Sequence, residues 1–106
     1  SGSTGVPRGV CLDAALPHSV AAALAAAMAP LDVRRHLCVL PLGVLLEAIG
    51  GVYAPLLAGG EIALPALAEL GHGGSGALDV LRLLATLAHF QPNSLIVVPQ
   101  LLQALV

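Results

Sequence analysis

The chain has no lysine and no tryptophan, and its aromatic residues apart from histidine are Tyr53 and Phe90 alone. Charged residues fill 9% of the 106 positions, against about 25% in a typical soluble domain. A nucleic-acid surface is built from a basic patch and rings on which bases stack. Four arginines in a chain of net charge −2 supply neither, so no nucleic-acid partner is expected. Two cysteines, Cys11 and Cys38, are too few for a disulfide framework and lack metal-ligand spacing. Both lie in apolar stretches and are expected as small buried hydrophobes. His18, His36, His72 and His89 also lack metal spacing and read as surface or capping residues; no metal ligand is expected. The scarcity of cysteine fits a reducing cytoplasm. No basic segment precedes the first apolar run, so no signal peptide is expected.

What is present is apolar. Hydrophobic residues make up 58% of the chain, and mean hydropathy is +0.95. A single domain this short buries only roughly 60–65% of the surface its unfolded form exposes, so it should be more polar than average. Neither long apolar stretch reads as a membrane span. Residues 14–29 carry Pro17 and His18 and fall short of the ~20 apolar residues a span needs. Residues 42–58 carry Glu47, Gly50, Gly51 and Pro55, and a charge at mid-bilayer is costly. The excess apolar surface is therefore expected to meet the rest of a larger parent chain, with self-association of the isolated piece.

Two kinds of apolar run alternate. Short runs at 37–40 (LCVL), 61–64 (EIAL) and 94–98 (SLIVV) each close on a proline: Pro41, Pro65 and Pro99. Runs of this kind read as buried parallel strands, and a proline after a strand can open a helix. Residues 10–12 read as a further short strand. Helical segments are expected at 17–29, at 44–58 with Gly59-Gly60 as the stop, at 76–90, and from Pro99 onward. In the third, Leu78, Leu81, Leu84 (with Leu83), Leu87 and Ala88 fall at i, i+3 and i+4 spacing. Residues 66–75, ending in HGGSG, read as a mobile loop. Strand–helix alternation predicts an α/β fold, three-layer αβα, with a mainly parallel sheet.

The opening SGSTGVPRGV (residues 1–10) has two readings. A Ser/Gly stretch with Val-Pro-Arg-Gly resembles a linker or the scar of an engineered protease site. The other reading is a loop whose amides and hydroxyls wrap phosphate, with Arg8 as the charge partner. It is neither GxxxxGK[ST] nor GxGxxG.

Three landmarks together carry a resemblance. Residues 1–10 resemble the phosphate-binding signature of the adenylate-forming superfamily, roughly [ST]-S-G-[ST]-T-G-x-P-K-G-V. The stretch 40–64, LPLGVLLEAIGGVYAPLLAGGEIAL, resembles the second landmark of its long-chain fatty acyl-CoA ligases, LPL-[SA]-H-x-x-E-x-x-x-G-x-Y. Leu40, Pro41, Leu42, Glu47, Gly51 and Tyr53 fall in register. Residues 90–102, FQPNSLIVVPQLL, are similar to the family's strand–turn–helix P-T-x-[LF]-x-x-V-P. The order and spacing are also the family's. Arg8 stands at the usual lysine, Ala14 at a frequent histidine with His18 four residues on, and Val44 at the second-landmark histidine.

The resemblance implies an internal piece of the N-terminal AMP-binding domain, with residues 1–9 as the phosphate-binding loop and 10–106 as alternating strands and helices. The implied activity is ATP-dependent adenylation of a carboxylic acid, a fatty acid, to acyl-AMP and then acyl-CoA, with ATP, Mg²⁺ and coenzyme A. It implies ATP-phosphate binding by Ser1, Gly2, Ser3, Thr4, Gly5, Arg8 and Gly9, and an acyl pocket near Gly43, Val44 and Glu47. A Tyr-Gly-x-[ST]-Glu motif, a ribose-binding Asp and a late catalytic Lys are absent from these residues, so no catalytic residue is assigned and the piece is expected to be inactive alone. The expected location is cytoplasmic or membrane-peripheral. The alternative is a non-catalytic acyl- or nucleotide-binding α/β interaction domain.

Overall fold

A computed structural model describes residues 5–72 and 78–106. Three short strands form one parallel sheet in the order β2-β1-β3: β1 Arg35–Leu37, β2 Glu61–Ala63 and β3 Ser94–Leu95. The register pairs His36 with Ile62 and with Ser94. The ladder runs one step past β1, where the Cys38 amide donates to the Ala63 carbonyl at 3.0 Å. Parallel strands need crossover connections, and helical segments supply them here. The α/β reading therefore holds, with a sheet smaller than the apolar runs suggested. Residues 10–12 form no strand and are exposed, because no partner strand stands beside them.

Helix α1, Ala15–Met28, starts where the Asp13 carboxylate accepts the Ala15 amide at 2.9 Å. Pro17 sits in its first turn, where a missing N–H costs little. The helix tightens into a 3-10 turn at Ala29–Leu31 and stops at Asp32, whose φ is 50°. Asn93 then fixes the entry to β1. Its Oδ1 accepts the Arg34 and Arg35 amides at 3.2 and 2.9 Å, and its Nδ2 donates to the Asp32 carbonyl at 3.2 Å.

The segment expected as one helix at 44–58 is a continuous rod of three pieces. These are α2 Leu45–Glu47, a π segment Ala48–Tyr53, and α3 Ala54–Leu57. It ends at Gly59, φ 80°, with Gly60 N–H bonded to the Pro55 carbonyl and Gly59 N–H to that of Leu56. That is a Schellman stop, as Gly-Gly predicts.

Helix α4, Val80–Phe90, begins four residues later than expected, where the Asp79 carboxylate accepts the Arg82 amide at 3.3 Å. Leu78 lies outside it, in a bridge to His72; residues 76 and 77 fall outside the described residues. The buried stripe of α4 is Leu83 and Thr86. Leu81 is 79% exposed and Leu84 45%, so the helix is rotated from the expected phase. Of the stretch expected as a mobile loop, residues 66–72 form a packed turn: Leu70 is buried and His72 Nε2–H donates to the Val39 carbonyl at 3.0 Å; residues 73–75 fall outside the described residues. Helix α5, Pro99–Leu105, follows β3 and buries Leu101.

Alternation along β1 separates the two faces of the sheet. Leu37 points into a core with Val39, Leu70, Leu83 and Leu101, so α4 and α5 cover that face. Each such buried leucine contributes about 1.5–3 kcal/mol. His36 points the other way, onto the rod that contains the π segment. Outside the rod lies α1, where Ala21, Ile49 and Ala54 form a second small cluster. Helices thus cover both faces.

Candidate functional site

Residues 5–10 of the opening stretch lie on the surface. Ser1, Gly2, Ser3 and Thr4 fall outside the described residues. Gly5 has φ 75°, and nothing lies within 4 Å of where a Cβ would stand. Arg8 and Gly9 are exposed. A glycine in this conformation and a solvent-facing guanidinium leave backbone amides and a fixed positive charge accessible to an anion.

The second region is the junction of β1 with the rod. Pro41 and Val44 close a turn, Val44 N–H to the Pro41 carbonyl at 2.9 Å, with Gly43 exposed inside it. Val44 is 38% exposed. Three residues on, the Glu47 side chain turns inward and is fully buried. Among the described residues no hydrogen bond or ion pair joins residues 5–9 to this junction.

Glu47 is held by β1 and by the segment that follows it. His36 Nε2 lies 2.7 Å from Glu47 Oε1, and both side chains are at most 1% exposed. With the carboxylate as acceptor, Nε2–H donates and Nδ1 accepts the Ser94 hydroxyl at 3.0 Å. Glu47 Oε2 accepts the Leu40 amide at 3.4 Å. Cys38, two residues along the same face as His36, donates its S–H to the Gly51 carbonyl at 3.7 Å. Burial pushes the Cys38 thiol up to about 12, and the nearby Glu47 carboxylate adds to it.

Gly51 makes room for all of this. A Cβ there would overlap Glu47 Oε1 and stand 2.6 Å from His36 Nε2. π turns inside α-helices frequently mark functional sites, and this one brings the glycine against the buried pair.

Beside the junction, α1 and the rod enclose an open groove of about 550 Å³ lined by Ala14, Pro17, His18, Leu45, Tyr53 and Leu57. Leu45 and Tyr53 present exposed apolar surface there. Glu47 reaches the opposite side of the rod and does not line the groove.

A family model described as AMP-binding enzyme matches residues 1–106. The chain belongs to that family. No curated protein and no solved structure was found that matches it.

AMP-binding enzymes are adenylating ligases that use ATP. The two landmarks of this family member that are fully described sit where strands give way to helices, at the carboxyl ends of β1 and β3. Ligands of open α/β sheets bind at that end. His36, Cys38 and Ser94 were not singled out by the sequence as site residues. His36 was expected at the surface and is buried; Cys11 was expected buried and is exposed. The signal was the i, i+2 spacing of His36 and Cys38, which places both on one face of a strand. His36, Cys38 and Glu47 offer one ligand atom each within 4.8 Å of one another. A thiol and an imidazole are poor donors for Mg²⁺, which takes oxygen ligands, so these residues do not fit the magnesium that accompanies ATP.

Proposed function

We propose that the chain supplies the ATP-phosphate loop and one wall of the acid pocket of an enzyme that adenylates a carboxylic acid, specifically a fatty acid. Acyl-AMP and pyrophosphate form first; the thiol of coenzyme A then displaces AMP to give acyl-CoA. The observation that carries this reading is the solvent-facing loop of Gly5, Arg8 and Gly9 within a chain of the AMP-binding family. In the first step a carboxylate oxygen attacks the α-phosphorus and the bond to the β-phosphate oxygen breaks. Charge develops on the leaving pyrophosphate, and prearranged donors stabilise it there. Ser1, Gly2, Ser3, Thr4, Gly5 and Gly9 would offer amides and hydroxyls to the β- and γ-phosphates, and Arg8 the cation. Mg²⁺ bound with ATP supplies further charge neutralisation.

The apolar groove between α1 and the rod suits an alkyl chain; its wall includes Leu45 and Tyr53, while Gly43 and Val44 do not line it. Each buried methylene is worth about 0.8 kcal/mol, so preference should climb with chain length until the groove is filled. Glu47 acts behind that wall, fixing the turn through Leu40. Exposed Leu42, Leu45, Leu46, Leu56 and Leu57 support covering surfaces contributed by the rest of a parent chain. No described helix is long and apolar enough to cross a membrane; a cytoplasmic or membrane-peripheral enzyme suits a fatty-acid substrate.

The test is ATP–pyrophosphate exchange by the protein that carries this segment, with acids of increasing length. Exchange that requires acid, rises with chain length and drops at least tenfold in Arg8→Ala supports the reading. The substitutions of lysine by Arg8 and of histidine by Val44 favour one rival, a non-catalytic acyl- or nucleotide-binding module. ATP binding without exchange for any carboxylic acid would establish that rival.

A further inference from the structure

We propose that His36, Cys38 and Glu47 form a buried site for one zinc-type divalent cation, loaded as the chain folds and separate from the adenylation chemistry. The three donor atoms lie within 4.8 Å of one another, and all three residues are buried. Two ligands about 2.0–2.3 Å from zinc at a tetrahedral angle sit about 3.3–3.6 Å apart. Nε2 and Oε1, now 2.7 Å apart, would open by roughly 0.6–0.9 Å, and Sγ would close in. A sulfur, an imidazole nitrogen and a carboxylate oxygen are the donor mix that zinc accepts and magnesium or calcium refuses.

Charge favours the same ion. A thiolate and a carboxylate balance a divalent cation, so the filled site is neutral inside an apolar layer. An uncompensated charge there is what burial penalises most. The second shell is also in place. Ser94 Oγ lies 3.0 Å from His36 Nδ1 and can orient the ring with Nε2 toward the ion, as outer-shell partners of metal-bound histidines do. The Gly51 carbonyl, 3.7 Å from Sγ, stands close enough to serve as a fourth donor. Gly51 has no Cβ to fill the space between the ligands.

Binding is balanced by one proton. The Cys38 S–H bond breaks and its proton passes to solvent as the metal–sulfur bond forms. The His36 ring proton moves from Nε2 to Nδ1, where it is donated to Ser94 Oγ. Because the site is closed to solvent, entry of the ion is coupled to folding. The competing account is a metal-free hydrogen-bonded cluster, and it predicts no metal affinity.

The experiment refolds the chain from denaturant with Co²⁺, whose thiolate bond gives a charge-transfer band in the near ultraviolet. The Cys11→Ser protein removes the exposed thiol. The expected result is one cobalt per chain with that band in both wild type and Cys11→Ser, displaced by Zn²⁺. In Cys38→Ser the band should vanish, with folding checked by circular dichroism. Should Cys38→Ser fail to fold, X-ray absorption of zinc-loaded Cys11→Ser decides the matter. One sulfur among nitrogen and oxygen ligands supports the site, and a shell without sulfur overturns it. Folded wild-type chain without the band, or a band that survives in folded Cys38→Ser, overturns it as well.

Discussion

Replacing Gly51 with alanine should destabilise the chain, although the same change usually strengthens a helix. Glycine in a helix interior is worse than alanine by about 1 kcal/mol, so an unconstrained position would gain roughly that amount. At Gly51 the new methyl would overlap Glu47 Oε1 and stand 2.6 Å from His36 Nε2. The carboxylate is the end of a long side chain, yet it is fully buried and fixed by His36 and Leu40. It can move only by giving up those partners. Leaving a buried carboxylate without its hydrogen-bond partners costs about 3 kcal/mol or more, and overpacking that is not relieved adds to it. Set against the propensity gain, a net loss of about 2 kcal/mol or more remains. For a chain of this size that lowers Tm by about 10 °C or more.

The adjacent glycine is the control. A Cβ at Gly50 would meet only Ile96 Cδ1, at 2.9 Å, and Leu24 Cδ1, at 3.9 Å. Both are the free ends of apolar side chains, so Gly50→Ala should stay within about 1 kcal/mol of wild type. Urea unfolding followed by circular dichroism measures both. Gly51→Ala as stable as wild type, or more stable than Gly50→Ala, would refute the placement of the buried pair against the rod.

Three further outcomes are expected. Leu83→Ala should cost about 3–5 kcal/mol by cavity formation, while Leu81→Ala, at 79% exposure, should change stability by less than about 0.5 kcal/mol; equal effects would move the core to the other stripe of α4. The folded Cys38 thiol keeps its proton up to about 12 against an ordinary 9.0. The unfolded chain therefore binds fewer protons between those values, and stability should fall by about 1.4 kcal/mol per pH unit there. Cys38→Ala, studied without added metal, should flatten that alkaline limb, and an unchanged limb would count against the burial of the thiol. Exposed Leu42, Leu45, Leu46, Leu56 and Leu57 should drive self-association. Light scattering at micromolar concentration should then give a mass above the 10.6 kDa of one chain, and a monomer would refute this.

Alternation of apolar runs was enough to read an α/β chain, because Pro41, Pro65 and Pro99 punctuate it so plainly. Strand lengths were overread. Residues 94–98 are all apolar or small, but ladder bonds form only where β1 stands alongside, so β3 is Ser94–Leu95. The phase of α4 was misread because its leucines outnumber the positions its partners can cover; Leu81 and Leu83 carry the same side chain and opposite environments. Glu47 was legible as a charged residue on an apolar helix. Its partner was not, since His36 lies eleven positions away and only the crossover brings them face to face. Residues 1–9 read as a phosphate loop through resemblance alone, as short-range pattern there fits a linker equally well.

The rod between β1 and β2 has a consequence for how this segment tolerates insertion and deletion. A π turn is an α-helix carrying one surplus residue. Each residue advances an α-helix by about 100°. Winding the same residues between Ala48 and Tyr53 as plain α-helix would rotate everything downstream by about that angle, whereas deleting one of them would keep the downstream phase. In the first case Ala54 and Pro55, now buried against neighbours, would swing toward water, and the exposed Leu56 and Leu57 would be carried inward. The π turn thus absorbs the extra residue. It lets Glu47 face the sheet and Ala54 face α1 along one uninterrupted helical path.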